Sequence, residues 1–323
     1  MYLAPDGDEL EIAQAAAGFL AEAMSIERLH GAACADMSAD LRQSLGGMGW
    51  FALALPELAG GSGLSAVEHA LFFREVGRQC GPVDVLAQCL AATIVEDVTL
   101  RSSIANGDVG VALAVEDGTR LRIFGSENAA FMLQLGRVRA DLYTIEKTAS
   151  EPRASLDPAT SIRVSDRAPT AVASETGDDA WNLGQLGTAA MLVGIAEASL
   201  DQIVDYAKVR ETFGKKIGSW QAVRHPCADM AVRLEAARAQ LWFAATAMKE
   251  GRGDAGVHLD AAKYLANQAA LANADTNIQL HGGIGVTDEH HAHLYLKHAL
   301  VLARLFGGRR EVLGRLLHAE VQD

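Results

Sequence analysis

The sequence has no surplus of positive charge: 28 lysines and arginines face 41 aspartates and glutamates, a formal net charge of −13. Nothing basic is left over to neutralise a phosphate backbone, so nucleic acid is excluded as a partner. No Lys/Arg-rich block offers a patch for an anionic membrane surface. No apolar run reaches the roughly 18 residues that a bilayer-spanning helix needs. The first six residues lack the basic start and apolar stretch of a secretory signal. Cysteine is scarce, and Cys34, Cys80, Cys89 and Cys227 show no CxxC spacing. They read as reduced, mostly buried thiols, and the cytoplasm is the expected compartment.

What is present is ordinary globular composition, 50% hydrophobic and 21% charged, in a chain long enough for about two domains. From Glu9 to about Asp97 apolar residues recur at three- and four-residue intervals, the mark of helices with one buried face. A helix is expected over Ser38–Met48. Another is expected over Ala66–Val76, with Ser65 and Glu68 as its capping box. Between Val109 and Ser174 short β-like runs appear at 111–115, 121–124, 142–145 and 161–164, with Asp117-Gly118 as a tight-turn signal. They predict a small antiparallel sheet. Long helices return at 186–209, 220–249 and 257–280, and a last one at 294–317 with a break near Gly307-Gly308. The fold class is mainly α with a small β domain, ending in a four-helix bundle. The expected domains are 1–108, 109–177 and 178–323.

Three motifs stand out. Gly49-Trp50-Phe51-Ala52-Leu53-Ala54-Leu55-Pro56-Glu57 precedes Gly60-Gly61-Ser62-Gly63-Leu64-Ser65; each piece alone is a helix end, a loop and a helix start. Arg210-Glu211-Thr212-Phe213-Gly214-Lys215-Lys216-Ile217 is followed by Trp220-Gln221. Arg210 offers a planar charged fork suited to a diphosphate and Phe213 a flat apolar face, although a helix C-terminus favours Arg and Lys in any case. Gln279-Leu280-His281-Gly282-Gly283-Ile284-Gly285-Val286 follows a long helix, and its glycines let backbone approach a ligand closely. His290, His291, His293 and His298 crowd together after Asp288 and Glu289. No ligand set of fixed geometry is implied, so no metal is expected and the cluster reads as a solvated or interface face.

In order and spacing the motifs resemble the acyl-CoA dehydrogenase family, over both helical regions. The resemblance implies a helical N-terminal domain, a β domain and a C-terminal bundle, with FAD as cofactor and an acyl-CoA thioester as substrate. In that family the second and third motifs reach across a dimer interface to the adenosine diphosphate half of the neighbouring subunit's FAD. Carried over, Arg210, Thr212, Phe213, Gln221, Gln279 and Gly283 are the cofactor-binding residues.

The resemblance also implies a carboxylate base to remove a proton beside the thioester. Most members keep it before the last helix, where this sequence reads Leu305-Phe306-Gly307-Gly308-Arg309-Arg310, with Gly307 at the glutamate position. A minority keep it at the start of the first C-terminal helix, directly before an arginine; here that pair is Gly184-Gln185. The flavin-embracing segments of the family's middle domain are missing between Asp97 and Ser174. Together these departures resemble the shortened subunit of heteromeric, α2β2-type acyl-CoA dehydrogenases of steroid side-chain degradation. That implies a related full-length partner subunit, a shared FAD and no catalytic residue here; an electron-transfer flavoprotein-type acceptor is compatible with it. Two alternatives stand beside it: a self-sufficient enzyme whose base has moved to Asp178, Asp179 or Glu311, and a scaffold that no longer touches flavin.

Overall fold

The computed structural model describes residues 5–31, 35–145, 150–166 and 170–319. Cys34 lies outside them. Five helices come first: α1 (Gly7–Ala23), α2 (Ala39–Gly47), α3 (Ala66–Arg78), α4 (Val83–Ile94) and α5 (Val98–Ala105). The Ser65–Glu68 capping box forms as the sequence predicts, the Ser65 N–H donating to Glu68 Oε2 at 2.9 Å. The first motif is structural. Trp50 is buried and stacks on Phe72 with ring centroids 5.0 Å apart, while Gly49 and Gly60 turn the chain at φ 79° and 85°.

A seven-stranded sheet follows, made of β1 (Val111–Asp117), β2 (Arg120–Phe124), β3 (Phe131–Leu135), β4 (Arg139–Thr144), β5 (Ser150–Arg153), β6 (Ile162–Asp166) and β7 (Ala173–Thr176). The strand order is β5-β6-β2-β1-β3-β4-β7. The expected Asp117-Gly118 hairpin joins β1 to β2, with Asp117 opposite Arg120. The sheet is mixed rather than antiparallel throughout. After β2 the chain returns to the far side of β1, so β3 runs parallel to it, from Val111↔Phe131 to Ala114↔Gln134. Side-chain alternation then splits the sheet between two cores. Val111, Leu113, Leu133 and Leu142 join the main helical core, whereas Ala112, Ala114, Leu121, Ile123 and Met132 form a small second one.

The C-terminal part holds α6 (Asp179–Val209), the short strands β8 (Glu211–Thr212) and β9 (Lys215–Lys216), α7 (Gln221–Lys249), α8 (Ala255–His281), α9 (Ala292–Leu302) and α10 (Arg309–Leu316). The fourth helix of the expected bundle is thus two short pieces. Among the described residues α6 is the one helix long and apolar enough to cross a bilayer, and 89% of its apolar window is buried inside this fold. It is the central core helix. α3 crosses it at glycine on both sides: a Cβ on Gly77 would stand 2.0 Å from the Met191 carbonyl oxygen, and one on Gly194 2.0 Å from that of Arg74. Beside the crossing, buried Glu197 of α6 pairs with Arg78 at 3.4 Å and Arg74 at 3.6 Å from α3, and with Arg238 of α7. The buried polar groups on this contact are therefore paired, as burial requires.

Asp84 ties the helices to the sheet. Its buried Oδ2 accepts from the Ser126 N–H at 2.9 Å, just beyond β2. Burial pushes this carboxyl from an ordinary 3.8 up to about 7, against the opposing pull of the Ser126 N–H. The folded state therefore holds a proton that the unfolded chain releases between those two values. The associated stability is full below the unfolded pKa and is lost as pH rises through the folded one. On the order of a few kcal/mol is expected across that window. Urea midpoints at about pH 5 and about pH 8 should differ clearly less in Asp84→Asn than in the parent. An equal fall in both proteins would show that Asp84 does not carry the effect.

Candidate functional site

The second and third sequence motifs meet at one end of the bundle. α6 and α8 run parallel, which their cross-contacts show in sequence: Gln185 Nε2 donates to Asp260 Oδ1 at 2.6 Å, and Asn277 Nδ2 to Gln202 Oε1 at 2.8 Å. At the end of both helices the Tyr206 and His281 rings lie 4.4 Å apart. One turn beyond Tyr206 stands Arg210, and two residues before His281 stands Gln279. Sequence separation is thus cancelled by helix register.

The α6 end is built as an arm. Arg210 caps the helix in an extended conformation, its N–H donating to the Tyr206 carbonyl at 2.9 Å. β8 and β9 then form a hairpin whose two loop residues, Phe213 and Gly214, both have positive φ, 53° and 74°. That is the loop a right-twisted ribbon needs, and glycine satisfies it freely. Phenylalanine there is a strained choice. The ring gains nothing from this chain in return, since Phe213 is 94% exposed. Arg210 is exposed and unpaired among the described residues. Thr212 is half-buried, and Gln221 is exposed at the start of α7.

The α8 end is open. Gly282 takes φ 68° and ψ −144°, and a Cβ on Gly283 would meet nothing within 4 Å. Gln279 is exposed. Val209, Phe213, Trp220, Ile284 and Val286 leave an apolar surface around the two motifs, of the kind that marks a contact site. The donor set fits a dinucleotide cofactor such as FAD. A guanidinium and two carboxamides suit phosphate and ribose oxygens, an exposed aromatic face suits a flat ring, and uncovered glycine backbone permits close approach.

The two base positions tell the opposite story. Phe306 is buried at φ 55°, and its ring packs over Gly184, where a Cβ would stand 2.3 Å from Cε1. Trp181 meets the same ring edge-on at 5.3 Å. Gly307 is itself at φ 102°, which L residues rarely adopt, and a Cβ there would press on Arg315 Nη2 at 2.9 Å. Gln185 is buried and committed to Asp260, which also receives both the Nε and Nη2 of Arg315. Of the alternative carboxylates, Asp178 and Asp179 are exposed at the N-cap and first residue of α6, and Glu311 accepts from the Gly308 N–H at 2.9 Å as the cap of α10. Sequence reasoning missed Phe306; its place after Leu305 in an apolar run carried no signal of a positive φ.

The histidine cluster is not one solvated face. His298 is fully buried, its Nδ1 2.7 Å from Asp157 Oδ2, because α9 turns it inward. His290 and His291 are half-buried and pack on the rings of His281 and His30, both at 4.3 Å.

A long-helix bundle thus stands beside a small sheet, with an exposed cationic, aromatic arm at one end. The family model for the acyl-CoA dehydrogenase N-terminal domain matches residues 6–116, and that for the C-terminal domain matches residues 179–322. Acyl-CoA dehydrogenase IpdE2 of Mycobacterium tuberculosis is 32% identical over 279 residues, covering 83% of this chain and 82% of that protein. Acyl-CoA dehydrogenase FadE34 of the same organism is 33% identical over 289 residues, which is 84% of this chain and 41% of FadE34. This chain therefore spans under half of FadE34. Among solved structures, a variant of the Tcur3481-Tcur3483 steroid ACAD superposes with a TM-score of 0.82 at 25% identity, over 96% of this chain and 97% of that one. The chain belongs to the acyl-CoA dehydrogenase family.

Proposed function

We propose that this chain is the non-catalytic subunit of a heteromeric, FAD-dependent acyl-CoA dehydrogenase. In this reading it completes the cofactor site of a related full-length subunit and supplies no base. The observation that carries it is that both family positions for the base are crowded glycines: a Cβ on Gly184 would stand 2.3 Å from the Phe306 ring, and one on Gly307 2.9 Å from Arg315 Nη2. Proton abstraction needs a carboxylate within hydrogen-bond reach in an apolar pocket. Exposed Asp178 and Asp179 and the capping Glu311 meet neither requirement. FAD, when bound, accepts the hydride. Arg210 would hold its diphosphate, Phe213 would cover a ring face, and Thr212, Gln221, Gln279 and Gly283 would complete the contact. The strained, exposed Phe213 supports a partner, since a conformation that costs energy in one chain is retained when another surface uses it.

The heteromeric reading is supported by the paired name of Tcur3481-Tcur3483, and that protein's description as a steroid ACAD supports a steroid side-chain CoA thioester as substrate. Buried Cys80 and Cys89 suit a reducing compartment, in keeping with the cytoplasm. The test is to purify the chain alone and together with the full-length relative from its own source. Alone it should be colourless and without acyl-CoA dehydrogenase turnover; together the two should be yellow and active. A lone chain that binds stoichiometric FAD and oxidises an acyl-CoA overturns the proposal.

A further inference from the structure

We infer that Glu27, His30 and His291 form a binding site for a divalent transition-metal ion of the zinc type, joining the turn after α1 to the start of α9. Ligand atoms of the three residues lie within 4.8 Å of one another. Glu27 and His30 come together because residues 26–29 form a 3₁₀ turn, in which side chains three apart eclipse. Glu27 Oε2 stands 3.6 Å from His30 Nε2 and 3.3 Å from His291 Nε2. A tetrahedral ion with bonds of about 2.0–2.1 Å sets its ligand atoms roughly 3.3 Å apart. Two of the three edges of such a site are therefore nearly formed.

The tautomer of His30 strengthens the case. Its Nδ1 lies 2.8 Å from the Asp288 carbonyl oxygen, and a carbonyl only accepts, so Nδ1 carries the proton. In the neutral ring Nε2 then presents a lone pair to a carboxylate, which also presents lone pairs. A shared cation resolves that conflict, and the Nδ1–carbonyl bond is the outer support that metal-bound histidines use. The two imidazole rings lie with centroids 4.3 Å apart, and both set their Nε2 beside the same carboxylate oxygen of Glu27. Two imidazoles with one carboxylate is a borderline donor set suited to zinc and its neighbours. Glu27 is 70% exposed, which leaves the remaining coordination position to water.

The site is independent of the proposed function, yet it touches the same region. The ion would link the 3₁₀ turn to the segment just after Gly282–Val286, steadying the turn that carries Gly283. The sequence reading weighed His291 within the histidine cluster and expected no metal there, because the other two ligands, Glu27 and His30, lie in the distant turn after α1. The test is calorimetric titration of the full chain, freed of metal by chelator, with zinc chloride, alongside its melting temperature. One zinc per chain and a raised melting temperature are expected. Glu27→Gln and His291→Ala should each weaken binding at least about tenfold, and His318→Ala should bind as the parent does. Glu27→Gln alters only an exposed side chain, so it guards against a folding artefact in the histidine variant. No saturable one-to-one binding, or equal binding by both ligand variants, overturns the inference; the three residues are then an ion-pair cluster only.

Discussion

Arg210→Ala in the assembled heteromer is expected to weaken FAD retention by roughly tenfold to a hundredfold, with turnover falling in step as the complex loses colour. The magnitude follows from the bond type. The net loss of one hydrogen bond to a charged group costs about 1.5–3 kcal/mol, and about 1.4 kcal/mol is tenfold in binding. Arg210 is exposed and unpaired among the described residues, so its removal breaks no described contact within the chain and leaves the fold intact. Unfolding of the variant should therefore match that of the parent. Arg210→Lys should restore only part of the binding, because a point charge does not reproduce the planar fork. Flavin absorbance after gel filtration, compared with protein concentration, measures all three. Unchanged flavin content in Arg210→Ala would favour the scaffold reading, in which this chain no longer touches the cofactor.

Local signals in the sequence proved reliable where local chemistry decides the structure. The Ser65–Glu68 box and the Asp117-Gly118 hairpin form from residues within one turn of each other, and both are present. The long helices have their expected C-terminal ends, although α6 starts at Asp179 rather than Leu186, because its first two turns lack a regular apolar stripe. β3 was not legible. Its adjacent Met132 and Leu133 are both buried, on opposite faces, so the two-residue alternation that marks a half-exposed strand is missing. The edge strands β5 and β7 are too polar to announce themselves and exist because their neighbours pair with them. At the candidate site, Arg210, Phe213 and the paired glycines drew attention by their order and spacing along the chain, since each alone is ordinary at a helix end. Phe306 over Gly184, and Glu27 beside His291, are contacts between distant segments. Only the packing of α4, α6 and the turn before α10 could reveal the first, and only the N-terminal turn against α9 the second.

That packing rests on the crossing of α3 and α6, and Gly194→Ala is expected to destabilise the protein by roughly 3 kcal/mol or more. On helix propensity alone the substitution should help by about 1 kcal/mol, so the sign itself is a test. The added Cβ would stand 2.0 Å from the Arg74 carbonyl oxygen and 2.9 Å from the Arg78 nitrogen, both backbone atoms of α3. No side chain can swing away, so the helices must part. Parting them stretches the ion pairs from Arg74 and Arg78 to buried Glu197, leaving a carboxylate under-paired in the core. Gly77→Ala meets the Met191 carbonyl oxygen at 2.0 Å from the other side and should behave alike. Once either methyl has forced the helices apart the second finds room, so the double variant should lose clearly less than the sum of the singles. Gly18→Ala, on the exposed face of α1 with nothing within 4 Å of the new Cβ, is the matched control and should be stabilised by about 0.5–1 kcal/mol. Urea unfolding of the four variants and the parent gives every term. Additive losses, or a Gly194→Ala protein as stable as the parent, would show that the helices cross less closely than the backbone distances state.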